Sequence, residues 1–487
     1  MKGFRRSTVA LAAMCIGAGA AGRQDGGRSE HALPPPVAAR AESPELGVIG
    51  RMIAAAPAGG TVVVGPGLYK EHLRIDKALV LVGRGNPVID GGGNGDIVEV
   101  VAPGVTVRGF TVRNTGIDLD KENAGIRVLA PGVTLEDNTL EDILFGIDLR
   151  EAPGSVIRRN RIGGKKVDIA RRGDGLRLWR SDNTLVEGNT IHEGRDAILW
   201  YSSGITVRGN RSDNCRYGLH LMFSDDVTIE DNILTGNSVG IYLMYSSGVR
   251  IARNELIRNR GPSGYGIGLK ETDRFTVRDN LITGNRVGVY IDGSPFTGAQ
   301  PGVFTRNTLA YNDIGFTILP SAKGNEITEN NFIDNIDQVS VAGRGDLSAN
   351  RFWKGDRGNF WSDYTGYDQD ADGVGDFVHE SQTLFESMMD KEPKLRLFLF
   401  SPAQQAVEFV ARALPAVRPE AKFTDEVPLM RPVPIELDLH VGGPSALWLS
   451  ATAAGMLAIG TGIVTTARTR IGPRRRPGTA LASGETT

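Results

Sequence analysis

Residues 205–254 read ITVRGNRSDNCRYGLHLMFSDDVTIEDNILTGNSVGIYLMYSSGVRIARN. Asn210, Asn232 and Asn254 each close a short run in which apolar and polar residues alternate, and they lie 22 residues apart. Fourteen residues before an asparagine, Gly218-Leu-His-Leu221 and Gly240-Ile-Tyr-Leu243 repeat the alternation. Period two over four to six residues specifies a strand and not a helix. Each repeat therefore carries two short strands, closed by Asn or Gly.

The pattern extends in both directions. VTLEDN ends at Asn138, SVIRRN at Asn160 and TLVEGN at Asn189; FTVRDN ends at Asn280, followed by Asn307, EITENN at Asn330 and LSAN at Asn350. Gly146-Ile-Asp-Leu149, Gly175-Leu-Arg-Leu178 and Gly266-Ile-Gly-Leu269 are further second units. No such repeat buries its apolar side alone, so successive repeats must stack. Strands stacked at ~4.8 Å place each Asn above the last, where its amide can bond its neighbours and the turn backbone. Leucine-rich repeats of similar length would need leucine ladders and helical returns. The expected fold is all-β: a right-handed, single-stranded parallel β-helix of about ten turns over residues 46–355. Residues 61–91 form its opening turn, and a short helix over 48–56 caps the open end.

The 487 residues carry 55 Lys plus Arg against 57 Asp plus Glu, a net charge of −2, which gives no electrostatic reason to expect a nucleic-acid partner. The 63 glycines fit a chain full of tight turns, and two cysteines exclude a disulfide scaffold. A basic start, a short apolar stretch and small residues up to Ala21 mark residues 1–22 as a signal peptide that removes Cys15, with a linker over 23–45. Residues 445–467 hold no charge and are long enough to span a bilayer. Arg468, Arg470, Arg474, Arg475 and Arg476 follow, which places the tail 468–487 in the cytoplasm and the body outside it. Cys215 is then the mature chain's single cysteine, read as a small buried hydrophobe.

The 14-residue offset aligns Asp196 with Gly218 and Gly240 and assigns Ala197/Leu199, Leu219/Leu221 and Ile241/Leu243 to the core. One outward column then holds Arg177, Ile198, His220 and Tyr242. The next holds Trp179, Trp200, Met222 and Met244, then Lys270; Tyr201, Phe223 and Tyr245 follow in the turn. An apolar, sulfur-rich and aromatic patch where water is expected marks a binding surface, unless another segment covers it. Two chemistries use such a patch. Aromatic columns can stack sugar rings; alternatively, two thioethers one rung apart beside an imidazole form a soft set suited to Cu(I). Sugar cleavage needs a carboxylate pair or a basic residue beside acids, and no outward Asp or Glu column is expected near these aromatics. No residue is assigned a catalytic role.

Past Asn359 the composition shifts. Asp368, Asp370, Asp372, Val374 and Asp376 match the first nine positions of a calcium loop over residues 356–380, although His379 stands at the twelfth. Residues 381–440 read as one or two amphipathic helices, broken at Pro393 and Pro402, and then an extended strap, Pro428-Leu429-Met430-Arg431-Pro432, reaching to another subunit or back along the solenoid.

Over residues 46–434 the chain resembles the NosD family, periplasmic accessory factors for nitrous oxide reductase maturation. The specific elements are the Leu-His-Leu-Met-Phe-Ser and Tyr-Leu-Met-Tyr-Ser rungs, the run from Gly358 to Asp368, Ser401-Pro402 and the strap. The resemblance implies a non-enzymatic role on an ABC-type transporter, with ATPase and membrane subunits, the reductase and a copper-chaperone lipoprotein as partners. His220, Met222 and Met244 are then where Cu(I) passes or a partner docks. The C-terminal span departs from the family pattern. A secreted polysaccharide-binding or -cleaving β-helix, such as a lyase or epimerase, is the rival reading.

Overall fold

The computed structural model describes residues 46–437, except 344, 382, 400 and 415–418. The expected signal peptide, linker, 445–467 span and tail fall on residues outside those described. Among the described residues no helix is long and apolar enough to cross a membrane.

Three parallel sheets of 12, 13 and 12 strands wind into a right-handed β-solenoid, each strand pairing with its counterpart one turn on. Ile126, Ile147, Leu176, Leu219, Ile241 and Ile267 are among the aliphatic side chains that fill its interior. The solenoid has about twelve turns, not ten. Counting asparagines misses the earliest turns, where Gly83 and Gly109 close the backbone: a Cβ on Gly83 would lie 2.3 Å from the Gly109 carbonyl oxygen.

Asn138, Asn160, Asn189, Asn210, Asn232, Asn254, Asn280, Asn307, Asn330 and Asn359 form a continuous buried ladder, each Nδ2 donating to the next Oδ1 at 2.8–3.1 Å. The tenth rung is Asn359 and not Asn350, which instead accepts from Asn325 on another corner of the solenoid. A second ladder runs through Asn237, Asn259, Asn285, Asn312 and Asn335. Cys215 stands at its head, its N–H donating to Asn237 Oδ1 at 2.9 Å. Burial pushes its thiol up to about 12, the behaviour of an inert core residue.

Both ends of the solenoid are closed. The helix Val48–Ala55 seats Ile49 and Ile53 on the first turn, and Glu71 caps it by accepting from the N–H groups of Ile49 and Gly50, each at 3.0 Å. At the other end Phe352, Trp361 and Phe423 stack over the last turn. Helices Leu384–Lys391 and Pro402–Ala413 follow, with a 3₁₀ segment Pro393–Phe398 between them, so the breaks fall at the two prolines. Buried Lys422 ties this cap to the solenoid, donating to Asp390 at 2.8 Å and to the Val339 carbonyl at 3.4 Å.

The strap runs back along its own solenoid. Leu429 is buried and bridges Phe360 on one side and Val374 of the acidic loop on the other. Val433 exchanges two hydrogen bonds with the Asn331 side chain, and the Glu436 N–H donates to Asp279 Oδ1 at 3.3 Å.

Candidate functional site

On the outer surface of the third sheet, strand register places Arg177, Ile198, His220, Tyr242 and Gly268 in one column. Arg150, Trp179, Trp200, Met222, Met244 and Lys270 form the next. The expected columns are present, with one shift of register. Asp196 pairs with Tyr217 and not Gly218, because a bulge between Asp196 and Ile198 takes up the one-residue deficit of that 21-residue repeat.

His220 is packed by aromatic rings, with centroids of Tyr217 at 4.9 Å and Tyr242 at 6.1 Å. The Tyr242 ring lies across Gly268, where a Cβ would sit 2.3 Å from its Cδ2. A larger residue at 268 would displace the ring that covers the histidine. Both imidazole nitrogens are buried, and Trp200 Nε1 is buried without a hydrogen-bond partner. Buried polar atoms are nearly always paired; here Nδ1 faces Asp196 Oδ2 at 3.5 Å, and Nε2 has no partner. Met222 and Met244 are half-buried, one rung apart, in the adjoining column. An imidazole whose Nε2 is uncommitted, beside two thioethers, fits a soft monovalent copper ion by donor chemistry.

The acids are the surprise. In place of a stacked acidic column, one acid stands next to Arg177 in the outward column: Asp148, fully buried, 2.7 Å from Arg177, 2.9 Å from Arg150 and 3.1 Å from Arg127. Glu122 closes the network by accepting two 2.8 Å bonds from Arg177, whose guanidinium holds its carboxyl down at about 2. Glu122, Arg150 and Arg177 line a 180 Å³ cavity with Trp179 and Trp200. Asp174 accepts from Arg195 at 3.0 and 3.2 Å, and burial pushes it up to about 6. Asp196 binds Arg216, and its Oδ2 lies 3.5 Å from His220 Nδ1. Burial opposes its ionisation, but His220 and Arg216 hold it below the usual range. These acids escape a search for repeating acidic columns because each stands on a different column or rung. Only folding brings them within reach of the arginines.

In the acidic loop, carboxylate oxygens of Asp368, Asp370 and Asp372 lie within 4.8 Å of one another. Asp368 accepts from the N–H groups of Asp372 and Gly373, and Asp376 from that of Gln369 at 2.7 Å. Val374 bridges Leu429 of the strap. His379 is drawn out of the loop, pairing with Asp425 as a short strand and stacking on Trp361 at 4.7 Å.

Residues 158–366 match the family described as periplasmic copper-binding protein (NosD). A Pseudomonas aeruginosa protein named probable ABC transporter binding protein NosD is 32% identical over 415 residues, 75% of this chain and 87% of that protein. The chain belongs to the NosD family. A second NosD, from Stutzerimonas stutzeri and carrying the same name, is 27% identical across 75% of this chain and 85% of its own length. Among solved structures, the A-module of the Azotobacter vinelandii mannuronan C-5 epimerase AlgE4 shares 18% identity at a TM-score of 0.42, covering 62% of this chain and 94% of the module. A GH87 α-1,3-glucanase from Streptomyces thermodiastaticus gives 15% and 0.44, over 66% and 67%. Likeness at that level carries no argument about what a NosD does.

Proposed function

We propose that this chain is a periplasmic, copper-handling subunit of an ABC transporter complex, and that it serves assembly of the copper–sulfur centre of nitrous oxide reductase. The observation that carries this reading is the juxtaposition of His220, whose buried Nε2 has no hydrogen-bond partner, with Met222 and Met244 one column away. His220, Met222 and Met244 would hold Cu(I) in passage; Trp179, Trp200, Tyr242, Phe223 and Tyr245 frame the point where a partner meets it. A three-ligand site among apolar groups suits a carrier if it binds its cargo loosely enough to release it. The family description and the names of the relatives support the copper and transporter parts of the reading.

The remaining assignments follow from it. The transporter's ATPase and membrane subunits, the reductase and a copper-chaperone lipoprotein are the proposed partners. Residues 1–22 direct export, and 445–467 hold the chain to the inner membrane. A Ca²⁺ ion on Asp368, Asp370, Asp372, the Val374 carbonyl and Asp376 would rigidify the loop that clasps the strap.

The rival reading, a polysaccharide lyase or epimerase, gains support from the cluster of Asp174, Asp196, His220 and Tyr217. Against it, both carboxylates are already closed into arginine pairs, which suits a structural role better than proton transfer.

The test is a deletion strain grown on nitrous oxide, from which the reductase is purified and its copper and sulfide counted per subunit. A reductase without the sulfide-bridged centre but with its other copper supports the proposal, and a fully loaded enzyme sinks it. In parallel, Met222→Ala with Met244→Ala should weaken anaerobic Cu(I) binding at least tenfold; unchanged affinity removes the metal role from this site.

A further inference from the structure

The same face has a property that copper chemistry does not use. Tyr201, Phe223 and Tyr245 occupy one turn position on three successive rungs, at φ of 50°, 52° and 54°. Left-handed backbone is strained for a residue with a side chain. Glu151, Arg180, Glu271 and Gly293 adopt the same conformation on flanking rungs. The turn geometry therefore does not call for aromatic residues. Nevertheless Tyr201 is 46% and Phe223 38% exposed.

The three rings stack on one another, with centroids 5.0 and 4.9 Å apart and interplanar angles of 5° and 17°. Each ring's face is covered by the next, so the ribbon presents its edges outward. Sugars pack against aromatic faces. Ring edges are electropositive and attract thioether sulfurs, carbonyl oxygens and the faces of other aromatic rings. Alongside run Trp179, Trp200, Met222 and Met244, and methionine adapts its shape to varied apolar partners. A cation sits at each end. Arg180 lies 4.9 Å from the Trp179 ring, loosely paired with Glu151 at 3.7 Å. Lys270 lies 5.9 Å from the Tyr245 ring and has no ion pair among the described residues, with Glu271 in the turn after it and Asp292 one rung beyond.

We infer that this face binds an apolar protein segment bearing methionine or aromatic side chains, with an acidic group at the end that meets Lys270. This rests on reading the face as a docking surface, and it is independent of whether copper binds there. From Trp179 to Lys270 is four rung steps, ~19 Å, the length of about 13 residues of helix.

The test pans a phage-displayed library of 16-residue peptides on the full-length chain in detergent, with copper removed by a chelator. Enriched peptides should combine Met, Phe or Trp with Asp or Glu at one end. Affinity for the best of them should fall at least tenfold in Phe223→Ser. The acidic preference should disappear in Lys270→Glu, a change on a half-buried side chain chosen in case Phe223→Ser does not fold. Failure to enrich any peptide, peptides indifferent to Lys270→Glu, or tighter binding of a uronate tetrasaccharide than of any peptide would each overturn the inference. Cu(I) affinity of Met222→Ala with Met244→Ala is measured separately, so the docking and copper roles fail independently.

Discussion

Asp425 Oδ2 accepts the backbone N–H of Asn359 at 2.7 Å and Trp361 Nε1 at 2.9 Å, so a carboxylate 66 residues downstream takes the place of an eleventh ladder asparagine. The end of a stacked ladder exposes donors that no further turn can meet, and Asp425 satisfies them from the returning segment. The strap is thereby fixed by the same hydrogen-bonding logic that builds the solenoid.

Burial pushes Asp425 up to about 6 despite the four donors around it. A carboxyl whose folded pKa exceeds its unfolded value of 3.8 favours folding most below that value, and the contribution is lost as pH rises through about 6. A shift of this size corresponds to roughly 3 kcal/mol. Asp425→Asn keeps one acceptor and removes the charge that appears as pH rises through about 6. It should raise the thermal midpoint at pH 7 and flatten its decline between pH 4.5 and 7, by differential scanning calorimetry. Identical pH profiles for the two chains would refute this account of the ladder's end.

Asn232 Nδ2 donates to Val207 O, Glu230 O and Asn254 Oδ1, while its Oδ1 accepts from the Asn210 backbone and side chain. Asn232→Ala leaves several buried groups unpaired, at about 1–3 kcal/mol each for those that water cannot reach. Chemical denaturation should show a loss of at least 3 kcal/mol or a non-two-state transition. Asn86→Ala, on an exposed turn outside the ladder, should cost less than 1 kcal/mol.

Asp148 pairs with three arginines from a fully buried position, sharing their charge with Asp96 and Glu122. Asp148→Ala strands part of that charge and should cost about 3–5 kcal/mol. Asp148→Leu combined with Arg177→Leu removes the closest pair together, leaving Arg127 to Asp96 and Arg150 to Glu122, and should cost less than Asp148→Ala alone. The reverse order would show that the network is not held by charge pairing.

Gly268→Ala forces Tyr242 aside, and with it the cover over His220. Carbethoxylation of His220, followed by mass spectrometry, should speed up several-fold while the far-ultraviolet circular dichroism spectrum is unchanged. An unaltered rate would mean that Tyr242 does not gate the imidazole.

If the acidic loop binds Ca²⁺, saturating ion at about 100 times the dissociation constant should stabilise the chain by about 2.7 kcal/mol, reversed by chelator. Asp370→Asn should abolish the shift. No shift in the unsubstituted chain removes the calcium assignment.

The sequence by itself determined the solenoid, the position of its N-terminal cap and the register of the outward columns around His220, Met222 and Met244. It could do so because a period-2 pattern repeated every 22 residues leaves only one way to bury the apolar sides, and a side chain's place in a column follows from arithmetic. Tertiary structure alone decided which residues lack a repeat mate yet meet in space. Asp425 at the ladder's end, Asp148 among three arginines and Leu429 between Phe360 and Val374 are contacts between segments far apart in the chain or standing on different columns. It also decided that the Tyr201, Phe223 and Tyr245 rings expose edges and not faces. Ring orientation depends on side-chain rotamers and neighbours one rung away, which residue spacing does not encode.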